Sequence, residues 1–159
     1  VLGSAAASFK LALYPEWAWA ICALGKRIEN RTWIAERIKG EWIAIHGGKN
    51  IDGTSDRSMW RHGCAAVLNQ AGERGYPSER IDEALRAVRR GCASRIVAVA
   101  KVVGFTQQST DRWFVGPWGW LLDEVRVLPG PVACKGAVGL WEVPQAVEAE
   151  ILAQLGGGR

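Results

Sequence analysis

The chain has no CxxC pair, only two histidines, one methionine, two tyrosines and three phenylalanines among its 159 residues. Without paired cysteines a zinc site has no local signature, and with so few histidines a dedicated metal site is not expected. No apolar run reaches the length of a membrane span, and neither a signal peptide, an internal repeat nor a long linker is visible. The four cysteines (Cys22, Cys64, Cys92, Cys134) are spread almost evenly and flanked by small or apolar residues. They read as free, mostly buried thiols in a reducing setting, so a cytoplasmic location is expected, with no membrane partner.

What the chain does have is tryptophan, nine in all, and a mild excess of positive charge, with a formal net charge of +4. Tryptophan serves cores and base-stacking platforms equally well, so composition alone does not separate the two uses. A polyanionic partner is compatible with the charge without being established by it. Five basic residues (Arg86, Arg89, Arg90, Arg95, Lys101) follow one another with no acidic residue between them. A solvated helix end, where the dipole favours cations, accounts for Arg89 and Arg90.

Length and a hydrophobic fraction of 48% point to one globular domain, 9–155, between flexible tails at 1–8 and 156–159. Phe9–Tyr14 reads as a strand stopped by Pro15, which then opens a helix ending before Gly25. A second strand is expected near Arg27–Trp33. A third, "GEWIAIHGGK", is apolar on both faces and therefore central. Helical periodicity follows over 55–71 and again from the N-cap Ser78 to Arg90. Arg95–Phe105 is a buried strand by its β-branched composition. Trp118–Leu128 and Lys135–Val143 complete the set, separated by a turn at Pro129–Pro131, before a last helix from Pro144 to about Leu155. The expected fold is α+β: about six mostly antiparallel strands closed into a barrel, with surrounding helices and a helical insertion after the third strand.

The segment "KRIENRTW" follows the strand–helix unit "ALYPEWAWAICALG", and together they resemble the ASCH domain, a PUA-like β-barrel. That family carries a Gly-x-Lys-x-x-Glu-x-Arg pattern after its first helix, and Lys26, Glu29 and Arg31 match its last three positions. Gly25 stands one residue closer to Lys26 than the pattern asks. Pro15 before Trp17, the strand-then-histidine of "WIAIHGGK", and "WFVGPWGWLL" leading into "GAVGLWEVP" extend the resemblance over roughly 11–144.

In a strand, Arg27, Glu29 and Arg31 share one face, with Lys26 at the rim. An arginine can hold a phosphate or base edge in a fork, and a carboxylate can accept from an exocyclic amine. The bland alternative is a surface ion pair of Glu29 with Arg31 or Lys26, worth little. The resemblance tips the balance toward a site. His46, before Gly47–Gly48, is either a satisfied structural histidine or a lining residue together with Lys49, and His62 reads as exposed. Trp19, Trp42 and Trp141 lie at apolar-periodic positions and read as core. Trp33, Trp113 and Trp118 lie where either a stacking platform or a packing wedge would serve.

PUA-like barrels commonly recognise RNA, so the resemblance implies a nucleic-acid-binding module for single-stranded RNA. Lys26, Arg27, Arg31 and Lys49 would meet phosphates, Trp33, Trp113 or Trp118 would stack, and Glu29 would read a base. The alternative it implies is a hydrolase with Lys26 and Glu29 catalytic. Some ASCH-like proteins resemble amidohydrolases that remove acyl groups from modified cytidine through a threonine activated by the motif lysine, and others are ribonucleases. Glu29 stands where that threonine would be, so it would act as general base for water instead. No cofactor is expected, beyond weak Mg²⁺ binding by Glu29 and Asp111 if the protein is a nuclease. A protein-interaction role ranks last, because no peptide-groove signature is present.

Overall fold

The computed structural model describes residues 6–48, 91–137 and 139–156. The helical insertion expected over 55–90 lies outside the described residues, as do Lys49, His62, Arg86, Arg89 and Arg90. The described chain runs β1 (Phe9–Leu13), α1 (Pro15–Ala23), β2 (Ile28–Arg31), a short 3-10 turn (Glu36–Ile38), β3 (Trp42–Gly47), β4 (Arg95–Thr106), β5 (Trp118–Ala133), β6 (Leu140–Glu142) and α2 (Gln145–Gly156).

The six strands form one mixed sheet in the order β2-β5-β4-β3-β1-β6, curled as a half-barrel. Only β1 and β3 run parallel, Leu11 opposite Ile45, and every other neighbouring pair is antiparallel. Strand β3, apolar on both faces, sits between β4 and β1 as its composition requires. One face of the sheet (Leu11, Leu13, Ile43, Ile45, Trp120) packs on Ala18 and Ile21 of α1. The opposite face (Ala44, Ile96, Val99, Leu128, Val132) packs on Ile151 of α2. A third cluster joins Ala20, Leu24 and Ile28 to Trp113.

The expected turn at Pro129–Pro131 is a correction. Strand β5 runs straight through "PGP" to Ala133, and the sixth strand is only Leu140–Glu142. Ladder pairing to β4 changes register between Ile96 and Ala98, opposite Val132 and Val127, so the prolines fall in the irregular stretch. A bulged strand tolerates prolines where no ladder donor is needed. The second strand is likewise shorter than expected, Ile28–Arg31, and Arg27 precedes it.

The Gly47–Gly48 pair admits a backbone. A Cβ on Gly47 would stand 2.1 Å from the Cys92 carbonyl oxygen, and Ser94 N–H donates to the Gly47 carbonyl at 2.7 Å. The glycine is there to let the chain entering β4 cross the end of β3.

Candidate functional site

Helix α1 ends with Leu24 N–H on the Ala20 carbonyl, and Gly25 follows at φ 68°, the left-handed conformation that glycine adopts without strain. Lys26 N–H returns to the same Ala20 carbonyl at 3.2 Å. This tight turn sends the Lys26 side chain inward, not onto the rim, and it is only 1% exposed. Its Nζ donates to Glu29 Oε2 and lies 5.3 Å from the centre of the Trp17 ring. Glu29 is itself 6% exposed, so the pair is a buried ion pair and not the solvated bridge that sequence chemistry allowed. Such a pair fixes geometry more surely than it adds stability.

Arg31 completes the group from the same face of β2. Its Nη2 donates to the Ala12 carbonyl at 2.6 Å, which anchors the guanidinium to the end of β1. Its Nε makes a loose ion pair with Glu29 Oε1 at 3.7 Å, too far for a hydrogen bond, and is buried with no hydrogen-bond partner among the described residues. The side chain remains 20% exposed, so the group meets solvent mainly at Arg31. The result is one carboxylate oxygen held by Lys26, with the other beside an unsatisfied N–H donor.

Across the strand pair, Glu29 faces Trp120 and Arg31 faces Trp118. Trp120 is fully buried, edge-on to Trp33 at 4.9 Å and to Phe105 at 5.3 Å, and its indole N–H donates to the Trp33 carbonyl. Trp118 is half-buried and is the cross-strand partner of Arg31. Trp33 is also half-buried but committed to the Trp120 contact.

Several expected site residues lie elsewhere. Arg27 does not join Glu29 and Arg31: its Nη1 donates to the Ile21 and Lys26 carbonyls at 2.9 Å, satisfying the end of α1. Trp113 is buried against Trp17 at 6.1 Å, edge-on, so it walls the site from behind and presents no stacking face. Asp111 is exposed, and its Oδ1 accepts the Trp113 amide. Among the described residues no group of three or more metal-binding side chains converges.

His46 takes the structural alternative. It is fully buried, with Nε2 2.6 Å from the Cys134 carbonyl and Nδ1 without a hydrogen-bond partner among the described residues. A carbonyl only accepts, so Nε2 carries the proton. Burial pushes the imidazole below its ordinary range, the Cys134 hydrogen bond opposes this, and the Lys10 charge adds to the lowering.

Two features escaped the sequence reading. Asn30, on the other face of β2, holds the preceding loop of β5: its Nδ2 donates to the Trp113 carbonyl, and its Oδ1 accepts from the Val115 and Gly116 amides. Its flanking residues, Glu29 and Arg31, are both charged, so nothing in the local sequence marked Asn30 as a loop anchor. The second is Lys10, 2% exposed on the α2 side of the sheet. Its Nζ contacts the Cys134 sulfur at 2.7 Å and the Lys135 carbonyl at 3.1 Å, and sits 4.9 Å above the Trp141 ring, its cross-strand partner. A lysine in the middle of "FKLAL" was legible as inward-facing, but its partners lie 124 residues away or more.

The architecture is α+β: a curled mixed sheet flanked by helices, with a lysine–glutamate–arginine group after the first helix. No family profile and no curated protein matches the sequence. Among solved structures, the fold is similar to the crystal structure of ASCH from Zymomonas mobilis, with a TM-score of 0.52 and 12% identity over 92% of this chain and 94% of that one. A serine-to-alanine variant of the same Zymomonas mobilis protein superposes at a TM-score of 0.50 and 12% identity, covering 96% and 98%. The chain therefore has an ASCH-like fold, in agreement with the motif resemblance.

Proposed function

We propose that the protein is an ASCH-type module that reads a nucleobase, in single-stranded RNA, through Glu29 and Arg31. The observation that carries this reading is the pairing of an acceptor with an idle donor: Glu29 Oε1 lies 3.7 Å from the buried Arg31 Nε, which makes no hydrogen bond among the described residues. A buried donor left unsatisfied is costly, and a ligand that accepts from it recovers that cost. The edges of cytosine and adenine present an amino donor next to a ring-nitrogen acceptor, the complement of this pair. Trp118 supplies a stacking face beside it. Lys26 orients the carboxylate from beneath and leaves the phosphates to exposed cations.

Titrating short single-stranded RNAs and nucleoside monophosphates tests the reading. Cytidine and adenosine forms are expected to bind about tenfold or more tightly than uridine forms, the discrimination of one good two-point contact. Glu29→Gln should abolish that preference. Affinity for the polymer should fall steeply with salt. Binding that ignores the base would refute it.

A second reading rests on the Lys26–Glu29 contact. A carboxylate held from below by an ammonium could serve as general base for water in a hydrolase acting on RNA or on N4-acylated cytidine. Incubation with labelled RNA and with N4-acylcytidine, with and without Mg²⁺, distinguishes it. Product that disappears in Glu29→Gln and Lys26→Ala identifies an enzyme, and its absence leaves the binder.

A further inference from the structure

On the α2 side of the sheet, two reactive groups from opposite ends of the chain are held in contact. Lys10 Nζ lies 2.7 Å from Cys134 Sγ, and both residues are buried, at 2% and 7% exposure. Sulfur is larger than oxygen, so a relaxed N–H···S contact is several tenths of an ångström longer than an N–H···O bond. A separation this short matches one oxygen atom bonded to both nitrogen and sulfur. The surroundings hold the two atoms in place. The Lys135 carbonyl accepts from Nζ at 3.1 Å, the Trp141 ring lies beneath it, and His46 fixes the Cys134 carbonyl. Gly136 gives the His46 ring room, since a Cβ there would stand 3.0 Å from Cε1. Among the described residues the partners of Lys10 include no carboxylate, whereas Lys26 is held by Glu29.

We propose that Lys10 and Cys134 are a site of reversible oxidative modification, at which peroxide joins the two side chains through a nitrogen–oxygen–sulfur bridge. One peroxide oxidises the Cys134 thiol to the sulfenic acid and releases water. A second oxidises the Lys10 amine, once it has given up its proton, to the hydroxylamine and releases another. The hydroxylamine oxygen then bonds to the sulfenyl sulfur, the S–OH bond breaks, and the departing hydroxide takes the hydroxylamine O–H proton to leave as a third water. Sulfur and nitrogen each give up two electrons, which the two peroxides accept. Two equivalents of a dithiol reverse the reaction, restoring thiol and amine with one water. Cys134 is 7% exposed and is followed by the exposed Lys135. The bridge would tie β1 to the end of β5, closing a loop of most of the chain and stabilising the fold as a long-range cross-link does.

Peptide mapping of the folded full chain after mild peroxide treatment, without reductant, is the test. The expected product is a Lys10 peptide linked to a Cys134 peptide, heavier than their sum by roughly 14 Da, one oxygen gained and two hydrogens lost. Dithiothreitol should restore both peptides, and the thermal midpoint should rise on oxidation and fall back on reduction. Lys10→Arg should abolish the link and leave Cys134 as sulfenic or sulfinic acid. The proposal is overturned if wild-type Cys134 is recovered as a thiol or an unlinked sulfur acid with the Lys10 peptide unmodified. A Lys10 link that persists in Cys134→Ser would overturn it equally. The wild-type map decides the matter even if a variant does not fold.

Discussion

Lys26 and Lys10 are almost equally hidden from water, at 1% and 2% exposure, yet the molecule keeps each by different chemistry. Lys26 is held by a carboxylate, with a second cation, Arg31, on the other side of that carboxylate. Lys10 has a thiol, a carbonyl and an indole face. The first arrangement is a charged network whose members depend on one another, with one donor left idle. The second is a lysine whose described partners are all neutral. Burial alone therefore does not make the two lysines alike: Lys26 shares a carboxylate with Arg31, whereas Lys10 meets a thiol, a carbonyl and an indole.

Removing one member of each group separates them most sharply. Lys26→Met leaves the Glu29 carboxylate buried beside Arg31 alone, and by analogy with broken buried pairs it should cost about 3–5 kcal/mol in urea denaturation. Adding Glu29→Leu to Lys26→Met should recover most of that loss, since a buried pair replaced as a whole by apolar residues is often neutral. A double variant as unstable as the single would mean that the two are not a pair in the energetic sense.

Acid comes next. His46 is buried beside Lys10 with its pKa lowered, so the unfolded chain binds a proton that the folded chain resists. The stability this contributes is fully present above the ordinary histidine value of about 6.5 and is lost as pH falls below it, by at most ~1.4 kcal/mol per pH unit. Thermal midpoints measured from pH 7.5 to 5 should show this decline, and His46→Gln should flatten it.

Lys10→Met should have the smallest effect, about 1 kcal/mol or less, because it unpairs only neutral groups, one of them the carbonyl of the exposed Lys135. A cost equal to that of Lys26→Met would erase the distinction between the two lysines.

The outline of the fold was legible because it rests on local pattern. Pro15 starting α1, the doubly apolar β3 and the β-branched β4 each announce themselves within a few residues. The "PGP" stretch misled because proline breaks a regular ladder, whereas β5 passes it in a region where the register to β4 already shifts. Motif spacing correctly placed Glu29 and Arg31 on one face and grouped them with Lys26. What it could not convey was depth, since the Gly25 turn that buries Lys26 depends on the end of α1. Arg27 had the right period and the wrong element, and Trp113 was buried by a loop that Asn30 pins. The Lys10–Cys134 contact was illegible, because nothing in either local sequence names a partner at the other end of the chain.

The central claim is that the idle Arg31 donor beside Glu29 awaits a base edge. The most direct measurement is the Arg31 side-chain Nε–H resonance in a ¹⁵N-labelled sample, followed as cytidine monophosphate, uridine monophosphate or inorganic phosphate is added. The account predicts a large downfield shift with the cytidine ligand, a much smaller one with uridine, and none with phosphate alone. A resonance that stays in place with cytidine monophosphate, or that moves equally with phosphate, would contradict it.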